Sequence, residues 1–165
     1  MTNPVLPSGS GPTVQLGALG VRFMLGAEQT GGGFSLVEHP IAPRGLGAPM
    51  HVHKNEDEYS YVLEGEVGAQ IGDEVVIGRP GDLISKPRGI WHAFWNAGDE
   101  PACLLEVISP AGFEGYFAAL GPLLPPERPE PDFEAIAALQ ASYGLQMDMS
   151  SAERLRREHG LTWMG

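Results

Sequence analysis

The sequence predicts an all-β fold followed by short helices, and two observations support this prediction. From about residue 14 to residue 110, short apolar runs alternate with breakers rich in glycine, proline and charged residues. The 165 residues include 23 glycines and 15 prolines, which are spread between the runs rather than massed in one segment. This composition favours many tight turns. Short strands at regular spacing are typical of a β-sandwich or a β-barrel.

The individual strands are read from the apolar runs between turns such as GAEQTGGG, GRPGD and NAGDEP. Because no internal repeat is visible in these runs, we expect one barrel rather than two. The predicted strands comprise residues 14–16, 21–25, 34–39, 49–53, 58–63, 67–71, 75–77, 83–85, 91–96 and 102–108.

Changes in composition along the chain predict three segments. Residues 1–13 are expected to form a flexible N-terminal arm, and residues 14–110 the β-barrel. The pattern of short strands stops after Ser109 and Pro110, so residues 111–165 are expected to form a C-terminal helical extension.

Capping residues locate the helices of this extension. Asp132 can accept hydrogen bonds at the start of one helix, and Ser150 with Glu153 has the spacing of a capping box at the start of another. The Pro-rich residues 121–131 are expected to be stiff and extended. The expected helices comprise residues 113–120, 133–143 and 150–160.

Charge and cysteine content limit the classes of partner. The net charge is −11, which disfavours nucleic acid and anionic membranes as partners. No window approaches the roughly 18 apolar residues that a membrane span needs, and the N-terminus lacks the pattern of a secretory signal. The single cysteine, Cys103, cannot form an intramolecular disulfide, so a cytoplasmic location is expected.

A His-x-His pair is the first candidate for chemistry. In a strand, alternate side chains share one face, so His51 and His53 would point the same way, with Cα atoms about 6.6 Å apart. Two imidazoles at this spacing can converge on one metal ion. The pair alone is a weak signal, because histidines on a strand are more often structural than ligating.

Acidic residues and a third histidine strengthen the signal. Glu56, Asp57 and Glu58 all compete for the role of a carboxylate ligand, and a solvated acidic turn is the expectation for two of them. Glu58 is the candidate because it begins the next apolar strand, where its side chain can point inward. His92 also lies at the start of a predicted strand, after a Pro-Gly turn.

These residues occur within two stretches that resemble the two motifs of the cupin superfamily. GLGAPMHVHKNEDEYSYVLEG resembles the first motif and GDLISKPRGIWHAFWN the second. A short gap separates them, and no motif position departs from the pattern. The first motif corresponds here to Gly45, His51, His53, Glu58 and Gly65, and the second to Gly81, Pro87, Gly89, His92 and Asn96. We expect the motif glycines to sit in turns with positive φ and Asn96 to bond to the backbone.

The resemblance covers about residues 34–108 and implies both a fold and a metal site. The fold is the cupin double-stranded β-helix, a jelly-roll-like barrel of two antiparallel sheets with one divalent metal ion near its centre. The ions of this family include iron, manganese, nickel, copper and zinc, and the ligand types do not choose among them because imidazole and carboxylate suit several. Within the superfamily, the chain looks like the single-domain, quercetin-dioxygenase-like cupins of bacteria. The ligands implied are His51, His53, Glu58 and His92.

Strand alternation extends the candidate site into a pocket. Ser60 and Val62 share the face of Glu58, and Phe94 shares the face of His92, so these three are candidate substrate-pocket residues, although core packing is the commoner role for Phe94. The opposite faces carry aromatic residues that need cover from a partner subunit or from the C-terminal helices, which favours a homodimer. These outward aromatic residues are Tyr59, Tyr61, Trp91 and Trp95.

Three functions fit these features. The first is a metal-dependent dioxygenase that acts on a small organic molecule, with Glu58 doubling as a general base if its carboxylate is loosely held. The second is an isomerase, decarboxylase or lyase that uses the metal ion as a Lewis acid. The third is a non-catalytic cupin that binds a small molecule. Fold alone does not choose among them.

Overall fold

The computed structural model describes residues 4–124 and 131–162. Residues 1–3 of the predicted arm and residues 125–130 of the Pro-rich stretch lie outside the described residues. The strands are β1 (Thr13–Leu16), β2 (Leu19–Leu25), β3 (Ser35–Ile41), β4 (Leu46–His53), β5 (Asp57–Glu64), β6 (Val67–Ile71), β7 (Glu74–Gly78), β8 (Leu83–Lys86), β9 (His92–Asn96), β10 (Ala102–Ser109) and β11 (Leu145–Met147). The helices are α1 (Ala27–Thr30), α2 (Glu114–Leu120), α3 (Phe133–Ser142) and α4 (Ser151–His159), with a 3₁₀ turn at Gly121–Leu123.

The strands form two antiparallel sheets, which confirms the predicted all-β, jelly-roll-like class. The first sheet has the order β1-β2-β3-β10-β5-β8, and the second has the order β11-β4-β9-β6-β7. The two sheets are not joined by strand pairing into a closed barrel within the described residues. Strands that are neighbours in sequence therefore often lie in different sheets, and residues from both motifs meet between the sheets.

Alternation along the strands determines which side chains face the interior. In β10 every second residue is buried, and in β5 the buried positions are Glu58, Ser60 and Val62. A core cluster that includes Val62, Leu104 and Phe94 fills the space between the sheets. Fully burying one such side chain contributes roughly 1.5–3 kcal/mol.

The C-terminal extension covers one outer face and adds a strand that the sequence pattern did not predict. β11 pairs with β4, placing Leu145 opposite His53 and Met147 opposite His51. Helix α4 packs Leu155 against Trp95, which is only 1% exposed. The predicted cover for Trp95 is therefore supplied by this chain. Tyr61 and Trp91 remain 42% and 38% exposed.

Two local predictions about the extension have different outcomes. Asp132 accepts a hydrogen bond from the backbone N–H of Ala135 at 3.0 Å and caps α3, as predicted. The capping box at Ser150 is wrong: the Ser150 hydroxyl donates to Asp148, and Glu153 bonds to an arginine one turn later. Helix α4 is instead fixed by Ser151, whose hydroxyl accepts from the backbone N–H of Met50 at 2.8 Å. None of the described helices is long and apolar enough to cross a membrane.

The motif glycines serve two different purposes. Gly65, Gly81 and Gly89 adopt positive φ, as predicted. Gly45 does not, and the positive φ belongs to Arg44 beside it. A Cβ on Gly45 would meet the Cβ of Ala18 at 2.7 Å, so close packing rather than conformation requires glycine there.

Candidate metal centre

Four side chains from both sheets meet in the interior. His51 and His53 lie on β4 and point to the same face, and His92 at the start of β9 is the ladder partner of His51. Glu58 reaches the same point from β5 in the first sheet. All four are buried, with exposed fractions between 0% for His92 and 5% for His51. The predicted convergence of these residues is confirmed.

The cluster is compact enough for a single ion. One potential ligand atom from each of the four residues lies within 4.8 Å of the others. Nε2 of His92 lies 3.2 Å from Oε2 of Glu58, and Nε2 of His53 lies 3.5 Å from Oε1 of the same carboxylate. The ring centroids of His51 and His92 are 4.2 Å apart.

Backbone carbonyls lie beside one ring nitrogen of two of the imidazoles. Nδ1 of His51 lies 2.8 Å from the carbonyl oxygen of Pro49, and Nδ1 of His92 lies 3.0 Å from that of Ile90. Because a carbonyl can only accept, the neutral ring of His51 carries its proton on Nδ1 and its lone pair on Nε2. Nε2 of His92 also faces a carboxylate oxygen of Glu58, so the single proton of a neutral ring can serve only one of the two contacts of His92. Burial lowers the pKa of both rings, with the other histidines of the cluster lowering that of His51 further. Both rings are therefore neutral at pH 7 and able to bind a cation.

His53 provides the strongest internal evidence that the cluster suits an ion. Neither of its ring nitrogens has a hydrogen-bond partner among the described residues, although both are buried. Leaving one buried polar group unsatisfied costs roughly 1–3 kcal/mol. A cation bound at Nε2 would satisfy that nitrogen, and three imidazoles with one carboxylate form a donor set that suits a divalent transition metal. The residues present therefore fit a single metal ion.

Glu56 corrects the expectation of a solvated acidic turn. It is only 7% exposed, and its Oε2 lies 3.6 Å from Nδ1 of His53. The carboxylate of Glu56 thus lies beside the nitrogen of His53 that faces away from the cluster, at a distance longer than a hydrogen bond. Asp57 is partly exposed and forms an ion pair with Arg88, whose hydrogen bonds lower the pKa of Asp57 to about 2.

A buried ion pair beside Glu58 does not belong to either motif. Nζ of Lys86 lies 3.0 Å from Oε2 of Glu58 and 2.8 Å from Oε2 of Glu106, and the Ser60 hydroxyl also donates to Glu106 at 2.8 Å. Lys86 and Glu106 are each 1% exposed. The sequence carried a signal for both. Had the strand at 83–85 been extended by one residue, alternation from Ile84 would have placed Lys86 inside, and alternation along 102–108 places Glu106 inside.

The charges of this group are strongly coupled. Burial raises the pKa of Glu58, but Lys86, His53 and His92 together lower it well below its usual range. Burial would lower the pKa of Lys86, but the carboxylates of Glu106 and Glu58 raise it. Burial raises the pKa of Glu106 to about 7, against the opposing effect of Lys86. Glu58 is therefore ionised and Lys86 protonated at pH 7.

The three predicted pocket residues point inward, and each contacts other protein groups. Ser60 bonds to Glu106, and Val62 is fully buried in the core between the sheets. Phe94 lies under Lys86, with Nζ 4.7 Å from the ring centroid, which is within cation–π range. Contact of these residues with a substrate stays a prediction.

An aromatic group from the C-terminal extension covers the cluster. The ring of Phe113 meets that of His53 edge-on at 4.3 Å between centroids, and Phe113 is 2% exposed. Tyr116, Phe117 and Tyr143 pack around Phe113. The site is therefore closed on this side by α2 and the residue before it. Nothing in the strand pattern could predict this cover, because the contact joins distant parts of the chain.

Two surface clefts lie outside the cluster. One of about 400 Å³ opens between β7 and β8 and is lined by residues such as Ile77 and Leu83. The other, of about 530 Å³, is lined by Trp91, Arg154 and their neighbours. Neither cleft is lined by a residue of the cluster.

Comparison with known proteins agrees with this fold. The family model described as Cupin domain matches residues 38–108. The chain is 42% identical over 60 residues to the oxidoreductase iacF of Pestalotiopsis fici, covering 35% of this chain and 29% of that protein. It is 34% identical over 84 residues to germin-like protein 1 of Brassica napus, covering 48% of this chain and 40% of that protein. The matched segments thus span well under half the length of these curated relatives.

A solved structure shows the same fold. The crystal structure of a predicted oxalate decarboxylase from Thermotoga maritima superposes with a TM-score of 0.60 at 20% identity, covering 64% of this chain and 98% of that chain. The match to the cupin family model is thus confined to residues 38–108, and the two antiparallel sheets agree with the fold of this solved structure. The buried cluster of three histidines and one glutamate suits a single metal ion.

Proposed function

We propose that this chain is a metal-dependent oxidoreductase of the quercetin-dioxygenase-like type that acts on a small organic molecule. The observation that carries the proposal is the buried cluster of three imidazoles and one carboxylate, with ligand atoms within 4.8 Å of one another. Similarity over 60 residues to a protein named as an oxidoreductase supports the same class of reaction. The neutral imidazoles of His51 and His92 and the ionised carboxylate of Glu58 are in the protonation states that ligation requires.

In this proposal His51, His53, Glu58 and His92 hold the ion. A bound divalent ion would supply Lewis acidity and, where it is redox-active, electron transfer to O₂. Phe113 excludes bulk water from the side of His53. Because Phe113 closes this side, a substrate that enters past it must be small or must displace the start of α2.

The contacts of Glu58 favour a ligand role over that of a general base. A base must be free to accept a proton at the reacting group. Oε2 of Glu58 is instead engaged by Lys86 at 3.0 Å and lies 3.2 Å from His92, and its pKa is lowered. Its carboxylate is therefore firmly held, which is the opposite of the condition for a base role.

A non-catalytic binding cupin is the second candidate, and the burial of the cluster favours it. The ligand side chains are at most 5% exposed and Phe113 lies over His53. An isomerase, decarboxylase or lyase would use the same four residues with a redox-inert ion such as zinc.

One experiment separates these functions. Chelator-treated protein is reloaded separately with Fe²⁺, Mn²⁺, Ni²⁺, Cu²⁺ or Zn²⁺, and O₂ uptake and substrate loss are followed with small phenols and diketones. We expect O₂ consumption with a redox-active ion, none with zinc, and none in the matched His92→Gln variant. Substrate turnover without O₂ uptake would contradict the proposal in favour of an isomerase, decarboxylase or lyase. A bound ion with no turnover of any substrate would favour the binding protein.

We also propose that the chain forms a homodimer through the outer face of the first sheet. Tyr61 and Leu83 are ladder partners on this face, with exposed fractions of 42% and 61%. A dimer would remove this apolar surface from water. Sedimentation analysis of the wild type and of Leu83→Glu tests this, and a monomeric wild type would contradict it.

A further inference from the structure

A fully buried lysine beside a metal-ligand carboxylate requires an explanation. Lys86 is 1% exposed, and its Nζ lies 3.0 Å from Oε2 of Glu58. Removing an ammonium group from water is unfavourable unless the group is well paired. Glu106, 2.8 Å away on the other side, supplies a second carboxylate, so the ammonium lies between two anions.

The position of Lys86 makes it a competitor of the ion for the same carboxylate. Glu58 would have two cationic partners. An ion held by the three histidines would bind the carboxylate from the histidine side, while Lys86 bonds to its Oε2. The ammonium hydrogen bond withdraws electron density from the carboxylate, and its positive charge repels a divalent ion a few ångströms away. Both effects weaken binding of the ion.

Glu106 acts in the opposite direction. Its carboxylate is buried and bonds to Lys86 and Ser60. Among the described residues it forms no hydrogen bond or ion pair with any of the four cluster residues. In its ionised form Glu106 offsets the positive charge of Lys86, so Glu58, Lys86 and Glu106 together carry one net negative charge beside the cluster. Loss of Lys86 would make this net charge more negative, and loss of Glu106 would make it less negative.

We propose that Lys86 and Glu106 form a charge-setting pair that tunes how tightly the cluster holds a divalent ion. The proposal rests on the metal site proposed above. Lys86 and Glu106 are positioning residues, because they act on the ion through Glu58. If the ion pair were merely structural, loss of either partner would weaken binding of the ion. If it is a charge-setting pair, loss of Lys86 and loss of Glu106 change the affinity for the ion in opposite directions.

The test is the affinity of chelator-treated protein for Co²⁺, measured above pH 7 by calorimetry, with the visible absorption of bound Co²⁺ reporting the ligand set. Lys86→Met is expected to bind Co²⁺ more tightly and Glu106→Gln more weakly, each by about tenfold or more. Lys86→Arg keeps the charge and is expected to stay within severalfold of wild type. The matched controls are Lys54→Met, which removes the chain's other lysine at an exposed position, and the exposed Glu74→Gln.

A second variant keeps the proposal falsifiable where a single substitution prevents folding. Lys86→Met with Glu106→Gln removes both members and restores the net charge, so its affinity is expected to match wild type or exceed it. Weaker binding in both single variants, no change in either, or a large loss in the double variant would overturn the proposal. A wild type that binds no Co²⁺ would instead overturn the metal site itself.

Discussion

The two sheets bring opposite chemistry to the interior. The first sheet contributes the charged side chains Glu58, Lys86 and Glu106, and these groups bond to one another at 2.8–3.0 Å. The second sheet contributes three imidazoles, of which His53 has no hydrogen-bond partner at either nitrogen within the described parts of the chain. Among the described residues, most of the charged atoms on the first sheet are thus paired with protein groups, with Oε1 of Glu106 as an exception, whereas both ring nitrogens of His53 are unpaired.

The two sheets should therefore differ in how much their contribution to stability depends on a bound ion. Charges on the first sheet stabilise one another, so their loss should be felt without any metal. Within the described residues, each histidine of the cluster has at most one hydrogen bond to the backbone, so its loss should be felt mainly when an ion is bound. Each prediction below tests one side of this contrast.

The largest effect is expected on the first sheet, for Lys86→Met in metal-free protein. Its loss leaves Glu58 and Glu106 buried without their cation, and breaking such a pair typically costs about 3–5 kcal/mol. Urea unfolding of chelator-treated protein measures this loss, with Lys54→Met as the exposed control. A change below about 1 kcal/mol, which is typical of surface pairs, would show that the pair is not structural in the absence of metal.

A second effect concerns His39, which is on β3 of the first sheet. Burial lowers the pKa of His39 from 6.5 to about 4, against a stabilising hydrogen bond to the carbonyl oxygen of Gly20. Between these values the unfolded chain binds a proton that the folded chain does not, so stability is full above pH 6.5 and falls as the pH drops toward 4. The full loss corresponds to about 3 kcal/mol.

The check is the pH dependence of the free energy of unfolding. Between pH 6.5 and 4, His39→Gln should reduce the slope of the unfolding free energy against pH by the equivalent of up to one bound proton. His159→Gln, which changes a residue near the surface, should reduce this slope less. His51 and His92 add to the slope in metal-free protein, because their pKa values are lowered too. An unchanged slope in His39→Gln would contradict the assignment.

The smallest effect in metal-free protein is expected on the second sheet, for His51→Gln. The substitution removes one neutral hydrogen bond, worth about 1 kcal/mol. With Co²⁺ at a hundred times its dissociation constant, the wild type should gain about 2.7 kcal/mol, and the variant should gain much less. Unfolding curves with and without Co²⁺ give both numbers. Equal stabilisation of the two proteins would place the ion elsewhere.

The sequence was sufficient for the parts of the site that follow strand alternation. His51 and His53 share a face because strand side chains alternate, and Glu58 points inward because it begins an apolar strand. The two motifs also predicted that strands distant in sequence meet. From these regularities we could predict both the fold class and the convergence of the four cluster residues.

Other features depend on information that alternation does not contain. Glu56 lies in a turn, where no periodicity tells a buried from a solvated carboxylate. Strand β11 has three residues, too few for a pattern, and its strand character comes from pairing with β4. Lys86 was missed because the predicted strand ended at residue 85, one residue before the observed end of β8. Phe113 reaches His53 only through the packing of the extension, which no local pattern describes.

The central claim is that the second sheet's histidines hold a metal ion with Glu58. Its most direct test is elemental analysis of reloaded wild-type protein beside the double variant His53→Gln with His92→Gln, with His159→Gln as a control outside the cluster. We expect near-stoichiometric metal in the wild type and in the control, and little or none in the double variant. Equal metal in all three proteins, or none in the wild type after reloading, would contradict it.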